Sequence, residues 1–337
     1  MTSKPSSSTY GARGIRRTVV TLLLIGLVAA GAIVAWRSHL AGGPTEVVEY
    51  PMPVATDIPT AIAIGPDGAV WFTIDFSDAI GVIRNGRLQR FSKGSRNSEP
   101  LGLGVGPDGV AWLADAPGVA IQRIEGPGKI TAIPLSTGIA RLGRLAVAPD
   151  GGVWFAESTA YSITRLKDGV LTRHELDAVR GAPFGVAVAP DGAVWATLQA
   201  GNSLLRIAPD GTRTEAEIPT ASVVPTDIAV DSSGAVWFVE FRGNRIGRYA
   251  GGKFTELDVP VERAALSGLA AAPDGSVWFG TLRGHSLGRV RNGKVQMFSL
   301  PREQARPFSV AVDHAGNVWY ADISGTVGMI PVAAARR

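Results

Sequence analysis

Ala189-Pro190-Asp191-Gly192-Ala193-Val194-Trp195 is the stretch whose reading decides the fold, because variants of it recur along almost the whole chain. The tryptophans that end it stand at Trp71, Trp112, Trp154, Trp195, Trp237, Trp278 and Trp319, in steps of 41 or 42 residues. So regular a period means one structural unit used seven times. Stacked units form a single body, which overrides the about two domains that a length of 337 residues would otherwise suggest.

Working outward from Trp237 gives the content of the unit. Asp227-Ile228-Ala229-Val230 alternates large and small residues as a buried strand requires; we name it strand A. The turn after it is Ser232-Ser233-Gly234 here and Pro-Asp-Gly in five other copies, where Pro presets φ and Gly accepts the positive φ that closes the hairpin. Ala235-Val236-Trp237-Phe238-Val239-Glu240 reads as strand B. Gly243-Asn244 turns into strand C, Arg245-Ile246-Gly247-Arg248-Tyr249, and Ala250-Gly251-Gly252 turns into strand D, residues 253–259. Four antiparallel strands per unit is the blade of a β-propeller. The other copies begin near Pro59, Pro100, Leu142, Pro183, Leu266 and Pro307, so the prediction is an all-β, seven-bladed propeller over residues 46–337. The composition, with 42 Gly, 22 Pro and 45% hydrophobic residues, suits many short strands joined by turns.

The last copy lacks a strand D after Val327-Gly328-Met329-Ile330, whereas residues 46–53 precede the first strand A and read like residues 254–260. The N-terminal strand is therefore predicted to pair into the last blade and close the ring, which removes an exposed edge. A tryptophan at one place in every strand B is predicted to pack between neighbouring blades as core.

Residues 19–36 carry no charge and follow Lys4, Arg13, Arg16 and Arg17. The reading is a cytoplasmic basic tail over 1–18, a single transmembrane helix over 19–36, a stalk over 37–45, and a propeller outside the cytoplasm. The rival is a cleaved secretory signal, with Ala30-Gly31-Ala32 as a small-residue cleavage site. From Glu46 onward the chain holds 28 basic and 29 acidic residues, too even a balance for a nucleic-acid partner. With no cysteine there are no disulfides and no thiolate metal sites.

In a propeller the B–C turns and the loops joining D to the next A surround one mouth of the central channel. Three residues past each Trp stand Ile74, Asp115, Glu157, Leu198, Glu240, Thr281 and Asp322. The carboxylates Asp115, Glu157, Glu240 and Asp322 are candidate oxygen ligands for Mg²⁺ if they converge. The alternative is that they cap turns or pair with strand C arginines such as Arg165 and Arg248. Along strand A the small residues Ala61, Gly102, Gly185, Gly268 and Ser309 are interrupted by Arg144 and Asp227, which form either a structural ion pair or a ligand contact. His285, in the B–C turn of blade 6, is the only histidine on that face; it is either an exposed loop residue without a catalytic role or, in an enzyme, the only available general base.

The copies spanning residues 185–195 and 237–248 resemble the repeat of the streptogramin B lyase (virginiamycin B lyase) family, over residues 46–330. The resemblance implies a seven-bladed propeller whose enzymatic members use Mg²⁺ and a histidine base to open a cyclic depsipeptide by elimination. Those members carry a Glu-x-His, and no Glu-x-His occurs in this sequence. The expectation is an extracytoplasmic propeller that binds a small or peptidic ligand at its mouth, with lyase opening of an ester or lactone left open. The alternative is a non-catalytic scaffold for an envelope protein or a glycan.

Overall fold

The computed structural model describes residues 34–38, 45–97, 101–115, 119–135 and 141–335. Seven antiparallel sheets follow one another in the order the repeat demands. Blade 5 is representative: strand A is Pro225–Val230, B is Val236–Glu240, C is Arg245–Ala250 and D is Lys253–Asp258. In six blades the register slips at the start of strand A, between the residue that opens it and the residue two or three places on. This bulge turns the opening residues of strand A away from the blade and toward the axis.

Ring closure is as the sequence predicts. The strand Thr45–Pro51 lies antiparallel to Thr326–Ile330 with Val48 opposite Met329 and Tyr50 opposite Val327, supplying the strand D that blade 7 lacks. Tyr50 stacks on Trp319 with centroids 5.8 Å apart. The N-terminal side departs from expectation. Val34–Ser38 is a fifth strand at the outer edge of the closing sheet, so residues 34–36 of the expected span and 37–38 of the expected stalk are strand, and Thr45 already belongs to the closing strand. Residues 19–33 and 39–44 lie outside the described residues. Among the described residues no helix is long and apolar enough to cross a membrane.

The core consists of seven clusters, one per seam between blades. Trp71 packs with Leu103 and Leu113 of blade 2, Trp237 with Leu269 and Val277 of blade 6, and Trp319 with Ile62 and Phe72 of blade 1. The tryptophans thus form the seams, as predicted. Strand C arginines cover them: Arg84, Arg165, Arg248 and Arg289 lie 5.1 to 5.6 Å from the ring centroids of Trp71, Trp154, Trp237 and Trp278. Two of these arginines also reach the A–B turns, Arg84 to Asp67 at 3.5 Å and Arg165 to Asp150 at 2.5 Å. Gly247 lies opposite Phe238 in the B–C ladder, and a Cβ there would sit 2.1 Å from the Phe238 ring. Gly81, Gly288 and Gly328 stand in the same relation to Phe72, Phe279 and Tyr320. The four-residue helix Val332–Ala335, the last element among the described residues, lies in the seam of blades 6 and 7, where Arg289 donates to the Ala335 carbonyl.

Candidate functional site at the channel mouth

Strand A starts at the B–C/D–A face, so the bulged residues at its head line the channel mouth. Here Arg144 of blade 3 crosses the channel. Its Nη2 lies 3.2 Å from the Asp227 carboxylate of blade 5, its Nη1 donates to the Leu101 carbonyl of blade 2 at 3.1 Å, and its guanidinium lies 5.8 Å from the Phe308 ring of blade 7. Asp227 also accepts from the backbone N–H of Ile228 and from that of Leu269 in blade 6. Five blades therefore meet at one ion pair whose side chains are only 11% and 13% exposed. Of the two readings open from the sequence, the geometry favours the structural one: Asp227 is held by one cation and two N–H groups, and Arg144 by Nη1 and Nη2, while its buried Nε has no hydrogen-bond partner. The pair bridges blades 3 and 5 across the channel, and the mouth above it is called the cup below.

The four carboxylates past the tryptophans do not converge on that cup. Each is enclosed in its own blade, with 2% exposure at Asp115 and none at Glu157, Glu240 and Asp322. The side chain of Gln122 donates to Asp115. Glu157 pairs with Arg173 of strand D at 3.2 Å and accepts from the Thr164 hydroxyl. Asp322 receives Arg302 at 2.6 Å, the Arg306 N–H, and both the N–H and hydroxyl of Ser324. Arg302 extends this network to Glu49 of the closing strand at 3.0 Å. The partners thus come from strand D, from the D–A loop and from a neighbouring side chain, while Arg165 and Arg248 lie over their tryptophans on the other side of the blade. Glu240 differs, because neither of its oxygens has a partner. Burial, with the nearby Glu256 carboxylate adding to it, pushes the Glu240 carboxyl up to about 7. Among the described residues no three His, Asp or Glu side chains are grouped to hold a metal. Carboxylates enclosed in separate blades, three of them already engaged, do not fit the shared Mg²⁺ that the family implies.

His285 stands exposed in the B–C turn of blade 6, with its Nδ1 3.0 Å from the Ala305 carbonyl. A nitrogen facing a carbonyl must carry the proton, so Nε2 is left as the acceptor. His174 is stacked on Trp154 and His314 lines the seam beside the C-terminal helix, both at the opposite face. The sequence reading did not register the rim of the mouth. Of six exposed large apolar side chains, Val54, Phe76, Tyr161, Val179 and Phe241 stand on B–C turns or D–A loops, and only Val170 does not. Phe76 and Val54 border a rim cavity of about 440 Å³, together with Asp78 and Arg90. The available signal was an aromatic residue within a B–C turn, as in Phe76 and Phe241.

A seven-bladed propeller with an ion pair across its channel and exposed apolar side chains on the loops around one mouth defines the class. The family follows from comparison: the Virginiamycin B lyase family model matches residues 41–204 and 145–335, and this chain belongs to that family. Its fold is similar to that of a streptogramin B lyase, at 27% identity and a TM-score of 0.79 over 84% of this chain and 96% of that one. A catalytically inactive histidine-to-alanine variant of virginiamycin B lyase from Staphylococcus aureus, with quinupristin, matches at 26% identity and a TM-score of 0.78, over 84% and 98% of the two chains. At 14% identity and a TM-score of 0.68, over 88% and 98%, YCF48 bound to D1 peptide shares the fold alone. No curated protein matches the chain.

Proposed function

We propose that the chain binds a small or peptidic ligand in the cup at its B–C/D–A mouth. The observation that carries this reading is the gathering of the exposed apolar side chains, three of them aromatic, on that one face. Exposed apolar surface costs solubility unless something covers it, and its confinement to the face around the channel mark that face for contact. The ion pair of Arg144 and Asp227 forms the floor, where Phe308 offers a ring to an apolar group.

One observation favours a second reading, in which the ligand is also opened at an ester. His285 presents Nε2 as a free acceptor, as a base for elimination must, and the Staphylococcus aureus relative is inactive when a histidine is replaced. Calorimetry with quinupristin, followed by mass spectrometry of the incubated ligand, tests both readings. Binding without a linear product supports the first, and a product lost in His285→Ala supports the second. No binding of quinupristin or of other cyclic depsipeptides sinks both and leaves a scaffold for an envelope protein or a glycan.

The N-terminal segment is part of the proposal. With strand beginning at Val34, the uncharged run shortens to the 15 residues 19–33. As a helix that is about 22 Å, against a hydrocarbon core of about 30 Å. The length suits the apolar stretch of an export signal better than a full span, and either device places the propeller outside the cytoplasm. An N-terminal sequence of the membrane-fraction and released protein separates them.

A further inference from the structure

Blades 3 and 5 place a glutamate at the same register, and the two environments are opposites. In blade 3, Glu157 is held by Thr164, which lies opposite Phe155, and by Arg173, which lies opposite Thr164. In blade 5 the residue opposite Phe238 is Gly247, and the residue opposite Gly247 is Glu256. A hydroxyl donor has become a hydrogen, and a cation has become a second carboxylate. The third donor position, Ser162 in blade 3, is Arg245 in blade 5. Its guanidinium reaches Asp258 at 2.8 Å and the outer oxygen of Glu256 at 3.1 Å.

The result is three buried carboxylate oxygens that have no donor: both of Glu240 and Oε1 of Glu256. Glu240 has no exposed surface at all. A buried anion without hydrogen bonds is among the most costly groups a fold can hold, so something positive must stand between these oxygens. A divalent ion is a poor fit, since among the described residues no three acidic or histidine side chains are grouped to hold one and Arg245 already pairs with Glu256. A proton fits: it makes one carboxyl a donor to the other, as paired carboxyls do when they cannot both ionise.

We propose that Glu240 and Glu256 share one proton, and that this proton latches the rim of blade 5. Glu240 lies directly beneath the B–C turn, where a Cβ on Gly243 would come within 2.8 Å of its Oε2. Glu256 holds the loop from blade 4, whose Thr220 hydroxyl donates to its Oε2 at 2.7 Å. Loss of the proton to solvent places two like charges under the turn, with Asp258 adding a third and Arg245 opposing them from strand C; Thr220 and Val223, from the loop, carry no charge. Burial of Glu240 favours its neutral form in the same direction. The turn bears Phe241 and the exposed Arg242, so the latch would set how the mouth is presented. That last consequence rests on the ligand reading above, whereas the titration does not, and the two fail separately.

The test uses the full chain. Carboxyl ¹³C NMR with labelled glutamate, assigned by Glu240→Gln, follows the pair directly, and melting is measured at about pH 5 and at about pH 8, on either side of the window over which Glu240 loses its proton, with and without excess Mg²⁺. The expected result is a carboxyl that titrates near neutral pH, a wild-type melting temperature that falls on the alkaline side, and a Glu240→Gln protein that lacks this fall and melts at or above wild type there. Glu157→Gln, by contrast, melts lower at both pH values. Titration of Glu240 in the ordinary carboxylate range overturns the proposal, even where the variant does not fold. So does an alkaline wild-type protein that Mg²⁺ restores and Glu240→Gln does not need, because the occupant is then a cation rather than a proton.

Discussion

Replacing Asp227 by Asn leaves the Arg144 guanidinium across the channel with one carbonyl and one ring for company. At 3.2 Å the lost attraction is about 5 kcal/mol for an effective dielectric of about 20, before the cost of desolvating both groups is returned. Measured losses on removing one partner of a buried pair are about 3 to 5 kcal/mol. We expect about 4 kcal/mol for Asp227→Asn, because the cation that remains is nearly buried. Arg144→Met is expected to cost less, about 2 to 3 kcal/mol, since Asp227 keeps the N–H groups of Ile228 and Leu269. The double variant removes both charges and is expected to cost no more than Asp227→Asn alone, a coupling of about 2 to 3 kcal/mol. Urea denaturation of the three variants and wild type gives these values. Additivity of the single variants within about 0.5 kcal/mol would refute the pair as the tie between blades.

Gly247→Ala is expected to destabilise by about 3 kcal/mol or more, because its Cβ would lie 2.1 Å from the Phe238 ring, in a seam that cannot yield. Gly234→Ala, at φ +82° with nothing within 4 Å, should cost only about 1 kcal/mol of backbone strain, and equal melting temperatures for the two would count against the packing account. Deleting residues 34–51 reopens blade 7 and should lower the melting temperature by several degrees; an unchanged transition would show that Val48 to Pro51 do not close the ring. For Glu240 the sign is fixed by a carboxyl raised in the folded state: its stability is fully present below the unfolded value of 4.5 and is lost as pH rises toward about 7. The loss is at most about 3 kcal/mol, read as a midpoint that declines over that window in wild type and not in Glu240→Gln.

The fold was legible because each of its decisions is local. A hairpin turn, a strand of alternating size and a tryptophan recur within 42 residues, and the closing strand announces itself by matching residues 254–260. The site was legible only in part, because its contacts are not local. That Arg144 and Asp227 depart from their repeat is visible in the sequence, but they stand 83 positions apart, two blades away from each other, and only a closed ring brings them together. The direction of the four carboxylates was hidden for a different reason. The alternation of strand B puts them toward a blade interior, yet which residue answers each of them is set by strand D in blade 3 and by a loop in blade 7. No rule of spacing within one strand would have returned Arg173 or Arg302.

That register also explains why a repeat protein can carry an individual site at all. Seven copies of one backbone offer seven near-identical positions, and in six of them the side chain is either uncharged or satisfied: Ile74, Leu198 and Thr281 need no counter-charge, while Asp115, Glu157 and Asp322 have donors. Such a position is stable because the blade supplies what it needs, and it is then silent. Blade 5 keeps the acid and replaces the donors, so it carries a cost that the other six copies show to be avoidable. Leu198 and Thr281 fill the same place in the neighbouring blades without a buried charge. Glu240, beneath the turn that presents Phe241, is therefore where a functional role for this rim is to be sought.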